Sequence, residues 1–134
     1  MTELPYHPML VHFPIALYIF EAVLLIVRKI KKDPAFRRFA LFTFCAGYLM
    51  MLAAWGTGYF EGGGLSNILK HERVENHFTA ASILLAFYTL RAGIWKGIKP
   101  DSRADQWIHP AGALIGCVLV AVTGYLGGLM VYGR

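Results

Sequence analysis

The sequence predicts an all-α integral membrane protein, a single four-helix bundle domain over residues 1–134 with both termini on the non-cytoplasmic side. Three observations lead there. Of the 134 residues 57% are apolar and only 16% charged, where soluble domains carry roughly 25% charged residues. The apolar residues come in long runs, not at amphipathic spacing, which makes lipid their natural surrounding. The positive charges gather in the short segments between those runs, the pattern of membrane topology and not of nucleic-acid binding.

The predicted spans are about 8–28, 39–60, 77–95 and 107–132. A ~30 Å hydrocarbon core needs about 20 helical residues at ~1.5 Å each. The second and fourth runs supply them outright. The first and third reach full length only if their polar ends count, with Arg28 and Lys29 snorkelling at one end of the first and Arg91 near the end of the third. The first connection holds Arg28, Lys29, Lys31, Lys32, Arg37 and Arg38, and the third holds Arg91, Lys96, Lys99 and Arg103. Ten of the thirteen basic residues therefore mark the cytoplasmic side. Lys70, Arg73 and Arg134 fall on the other. Tyr6, Tyr59 and Tyr132 then form an outer aromatic belt, and Trp95 and Trp107 an inner one. No cleavable signal follows the first run, which is expected to belong to the bundle.

Helix contacts in lipid rely on small residues. The fourth span offers Gly112 with Gly116 and Gly124 with Gly128, and the second offers Gly47, Gly56 and Gly58. Such glycines serve close helix packing, or they let a flat cofactor press against backbone. Cys45 and Cys117 lie inside apolar runs without CxxC or CxxCH spacing. They are read as reduced packing residues, which leaves no zinc knuckle and no covalent c-type haem.

Of five histidines, His7, His12, His71 and His77 belong to the outer side and only His109 to the inner. His12 sits two residues before Pro14, a favoured first helical residue, and His77 directly precedes the third apolar run. Both helices start on one face of the membrane, so the two imidazoles share a depth. Neutral imidazole is a good axial ligand of haem iron, and bundles build such sites from facing helices. His12 and His77 are accordingly the expected haem-iron ligands, with His7 and His71 a second candidate pair further from the apolar runs. Interfacial histidines also satisfy helix ends, and imidazole suits copper and zinc as well. Glu21 is the one acid deep in an apolar run, which makes it a functional candidate. It lies opposite His12 on the helix, whereas Arg28, seven residues on, shares its face. A Glu21–Arg28 pair along the helix is the structural expectation, and proton handling the functional one.

His7-Pro8-Met9-Leu10-Val11-His12-Phe13-Pro14-Ile15-Ala16-Leu17 resembles the HPxxVHFPIAL opening of a bacterial membrane-protein family, domain of unknown function 2231. Thr57-Gly58-Tyr59 and His77 resemble its next landmarks, and Gly124-Tyr125-Leu126-Gly127-Gly128-Leu129-Met130-Val131-Tyr132 is similar to its GWLGGxLVY close. The resemblance covers essentially the whole chain and implies a four-helix membrane domain. Members of the family are sometimes fused to c-type cytochrome domains, which implies an association with electron transfer.

The functional expectation is a b-type cytochrome subunit of a bacterial inner membrane. It would carry haem b near the outer face and exchange electrons with a membrane or periplasmic redox subunit, a c-type cytochrome or quinone. The chain shows no catalytic nucleophile, acid pair or phosphate loop. Two other classes stay open: a non-redox anchor of a larger complex or homo-oligomer, and a metal-handling or transport protein.

Overall fold

A computed structural model describes residues 6–133, so Arg134, counted above among the outer charges, lies outside the described residues. Helix α1 (Tyr6–Leu10) passes through one turn at Val11 into α2 (His12–Lys31). There follow α3 (Ala35–Glu61), the short α4 (Leu65–Ile68), α5 (Glu72–Gly97) and α6 (Arg103–Tyr132). No strand occurs among the described residues. Tyr6–Lys31 and the three long helices α3, α5 and α6 are each long and apolar enough to cross a membrane. At ~1.5 Å per residue all four overrun a ~30 Å core, so their ends reach headgroup depth.

Local chemistry sets the helix ends. Lys32 adopts the left-handed conformation (φ 54°) and donates its N–H to the Arg28 carbonyl, closing α2. The Asp33 carboxylate accepts the Ala35 N–H and caps α3. Gly63 and Gly64, with φ of 78° and 77°, end α3 where a side chain would be strained. Ser102 opens α6 by accepting the Asp105 N–H. Pro110 cannot donate to the Gln106 carbonyl. Lys29 Nζ fills that gap at 3.3 Å.

Helix α2 packs on α3 and α6, and α5 packs on the same two, so the bundle is a ring with α2 and α5 diagonal to each other. The outward faces carry Ile19, Phe20, Phe42, Leu49, Ile115 and Val118, all exposed. The interior holds charged groups among its apolar side chains. Glu21, Asp105 and His109 are at most 1% exposed, and Arg28, Arg37 and Arg91 at most 9%. Apolar surface outside and paired charge inside is what a bilayer selects.

The interior is organised by a repeat. Glu21 on α2 and Arg91 on α5, 70 residues apart, form a two-pronged ion pair of 2.7 and 3.0 Å across the diagonal. Tyr18 and Tyr88 stand at the same separation and stack at 3.6 Å between ring centres; His7 and His77 share that separation and meet edge to face, with ring centres 6.1 Å apart. With one residue fewer, the same offset carries α3 onto α6. Gly47 and Gly116 lie under the Tyr18 and Tyr88 rings, and Phe44 and Met51 match the buried Ala113 and Val120. The chain is thus two helical hairpins, α1–α3 and α5–α6, related by an approximate two-fold axis along the bundle, a parallel repeat. Equivalent residues meet on that axis.

Several expectations change here. Glu21 pairs with Arg91 and not with Arg28, because the diagonal helix brings a guanidinium into direct contact while Arg28 turns to Asp101 and Asp105. Neither Arg28 nor Arg91 snorkels; both are buried with carboxylate partners. Trp95 is buried against the His109 ring at 3.7 Å and takes no part in a belt, whereas Trp107 is exposed. Cys45 is exposed and packs in no core, while Cys117 is half-buried; both are free.

The axial ion pair makes a direct prediction. Glu21→Ala or Arg91→Ala strands a buried charge and costs about 3–5 kcal/mol. Because the two positions are equivalent by the two-fold, the exchange Glu21→Arg with Arg91→Glu should restore most of the stability that either half of the exchange removes. Thermal unfolding in detergent reads this, and a double exchange no more stable than the worse single variant contradicts the pairing.

Candidate functional site

Polar groups collect in two layers, one at each end of the axis. The first lies at the end bearing α1 and the α3–α5 connection. His7, on α1, is half-buried and places Nδ1 2.8 Å from the Ala54 carbonyl of α3. Thr57 Oγ1 donates to the same carbonyl at 3.0 Å. Glu61 Oε1 accepts the His7 backbone N–H at 3.0 Å. His77, on α5, places Nδ1 3.1 Å from the Thr123 carbonyl of α6. The two hydrogen bonds span 47 and 46 residues, so they are one contact made twice.

In each hairpin the glycine one turn beyond the accepting carbonyl gives the ring its space. A Cβ on Gly58 would come within 2.9 Å of His7 Cε1, and one on Gly127 within 3.1 Å of His77 Cε1. A carbonyl only accepts, so each Nδ1 carries the proton, and each Nε2 keeps the lone pair in neutral imidazole. Orientation of a ligating histidine by its other nitrogen takes this form. The rings stand 6.1 Å apart between centres and 74° between planes. They border a cavity of about 360 Å³ that Trp55, Phe78, Glu61 and Met130 also line.

The second layer lies at the opposite end. Asp105, fully buried, receives Arg28 Nη2 at 2.6 Å, Arg37 Nε at 3.0 Å and the Asp101 N–H at 2.9 Å. Arg28 Nη2 also reaches Asp101 at 2.7 Å. His109 Nε2 is 3.2 Å from Asp105 Oδ1, yet off the line a hydrogen bond requires. Its ring is held by stacking on Trp95. Arg91 spans the layers above, touching Glu21 and, at 3.4 Å, the His109 carbonyl.

Of the histidines expected from the sequence, His77 thus has His7 as its neighbour. His12 is exposed, with Nδ1 2.6 Å from the Pro8 carbonyl of its own helix start. His71 is exposed at the N-cap of α5 and makes no side-chain cap bond. Among the described residues no three His, Cys, Asp or Glu side chains group so as to hold a metal ion by themselves. Asp105 precedes the apolar run that begins at Trp107, so hydropathy does not single it out.

A family model of predicted membrane proteins, DUF2231, matches residues 3–134. No curated protein and no solved structure matches the chain.

Proposed function

The chain belongs to the DUF2231 family of predicted membrane proteins, and from its paired imidazoles we propose that it is a b-type cytochrome subunit binding one haem b between His7 and His77. The observation that carries this reading is the 6.1 Å between the two ring centres. Two metal–nitrogen bonds of about 2 Å bring imidazole centres about 6 Å apart. Two ligands alone fall short of the four that a structural zinc site takes. They suit an iron that arrives with its equatorial nitrogens already in place. Trp55, Phe78 and Met130 supply the apolar wall such a group needs, and Gly58 and Gly127 keep each ring tight against backbone. The chain's own part is to fix both tautomers through Ala54 and Thr123 and to hold the ring planes apart.

In the proposed orientation the arginine- and lysine-rich end faces the cytoplasm of a bacterial inner membrane, and the histidine pair lies near the outer face. Electrons then enter and leave at that face, through a c-type cytochrome, quinone or another redox subunit. A non-redox anchor subunit is the second reading, favoured by Gly124 and Gly128, beside which a Cβ would meet open space where another helix fits.

Two measurements test the proposal. The purified protein should show sharp reduced-minus-oxidised α and Soret bands. His7→Ala and His77→Ala should each abolish them or turn the iron high-spin, while His109→Ala leaves them unchanged. Loss in His12→Ala with retention in His7→Ala would transfer the ligand role to His12, and a colourless wild-type protein after haem supplementation defeats the cytochrome reading. For orientation, a periplasm-dependent reporter fused after Arg134 should be active; activity only of a cytoplasm-dependent reporter inverts every side assignment.

A further inference from the structure

At the end of the bundle away from the paired imidazoles lies a cavity of about 550 Å³. It is formed where the close of α2 and the α2–α3 connection face the start of α6. Arg28, Lys29, Lys32, Asp33, Asp101 and Gln106 are among its lining residues. The acids there are already engaged. Asp101 accepts from Arg28 at 2.7 Å, and Asp33 caps α3 through the Ala35 N–H at 2.8 Å. The bases are not all matched. Among the described residues three guanidiniums, Arg28, Arg37 and Arg91, are at least nine-tenths buried; Glu21 and Asp105 are fully buried with them, whereas the third carboxylate, Asp101, is exposed.

Arg28 is the base with a nitrogen left over. Its Nη2 serves both Asp101 and Asp105, while its Nη1 is buried with no hydrogen-bond partner. A buried charged donor without an acceptor is costly, and a missing acceptor is its simplest explanation. Lys32, exposed at the αL end of α2, adds a positive charge to the same lining. Lys29 Nζ lies 3.1 Å from the centre of the Trp107 ring, which is itself exposed. An exposed tryptophan at the end of a spanning helix marks headgroup depth. Basic pockets between spanning helices at that depth take lipid phosphates.

We propose that this cavity binds a phosphate group, supplied by the phosphodiester of an anionic phospholipid headgroup, against Arg28 with Lys29 and Lys32 around it. The ligand adds an acceptor and a negative charge beside the Arg28 guanidinium, whose Nη1 has no partner and whose outer carboxylate, Asp101, is exposed. It lies where the first hairpin meets the second, because Arg28 belongs to α2 and its carboxylate partners to the α5–α6 connection and the start of α6. The site is independent of any haem at the other end.

Native mass spectrometry of the detergent-purified chain tests this, with phosphatidylglycerol, phosphatidylcholine and inorganic phosphate as probes. Wild type should retain one phosphatidylglycerol and release phosphatidylcholine. The double variant Lys29→Gln/Lys32→Gln should bind phosphatidylglycerol about 25-fold more weakly, about fivefold for each lysine near the surface. Lys96→Gln/Lys99→Gln removes the same charge from exposed positions at the same end but outside the cavity lining, and should retain it. Should the first double variant lose its wild-type elution profile, Lys32→Gln alone gives the reading, at about fivefold. If inorganic phosphate binds stoichiometrically and displaces the lipid, the phosphate site stands and free phosphate is its source; if it does not displace the lipid, the headgroup is. Equal retention of both lipids without phosphate binding, or equal loss in the two double variants, overturns the proposal.

Discussion

A polar group inside hydrocarbon must find its partner within the protein, and the interior of this bundle is built around that requirement. Lipid rewards apolar side chains on the outside as well as any core would, so burying leucines does not choose one helix arrangement over another. Charged pairs do. Glu21 has one guanidinium in reach, on the diagonal helix, and Asp105 gathers Arg28 and Arg37 from α2 and α3 onto the start of α6. These contacts tie all four spans to one another. Their loss would leave charges with neither water nor partner, so they specify the ring order more sharply than packing area does.

The approximate two-fold axis explains which residues stand on it. Identical residues meet there by default, and Tyr18 with Tyr88 shows the simplest outcome, a stack. Identical charges cannot meet in a low dielectric, and the equivalent positions 21 and 91 hold Glu and Arg, whose difference turns repulsion into a two-pronged bond. The imidazoles of His7 and His77 are identical, and each keeps a lone pair on Nε2 because its Nδ1 proton is given to a carbonyl. Two like acceptors are not complementary to each other. They become so when both donate to a Lewis acid between them, which is why the proposed haem fits the symmetry as well as the spacing.

The four spans were legible in the sequence because hydrophobic runs are local, and the opening and closing motifs carried the family. The partners of the buried charges were not. Helical periodicity ranks Arg28 as the neighbour of Glu21, since it compares positions on one helix only; Arg91 becomes visible once α5 is known to lie diagonally across. Distance from the apolar run ranks His7 below His12, yet α1 carries the helix outward and sets His7 against α3. A signal was present all the same. His7 with His77, Tyr18 with Tyr88, and Ala22 with Ala92 recur at the offset that joins Glu21 to Arg91, and Gly47 with Gly116 and Gly58 with Gly127 at one residue less. So few identities do not stand out in a composition this apolar, where leucine and alanine match by chance.

In the proposed site the two halves would each present one imidazole to a shared iron, with ring planes 74° apart. Low-temperature electron paramagnetic resonance of the oxidised, haem-loaded protein reads that angle, since the splitting of low-spin iron depends on the angle between its axial imidazoles. Nearly perpendicular planes predict a single, highly anisotropic low-spin signal with a large gmax. A rhombic low-spin signal of parallel imidazoles, or a predominantly high-spin one, would contradict the pairing of His7 with His77.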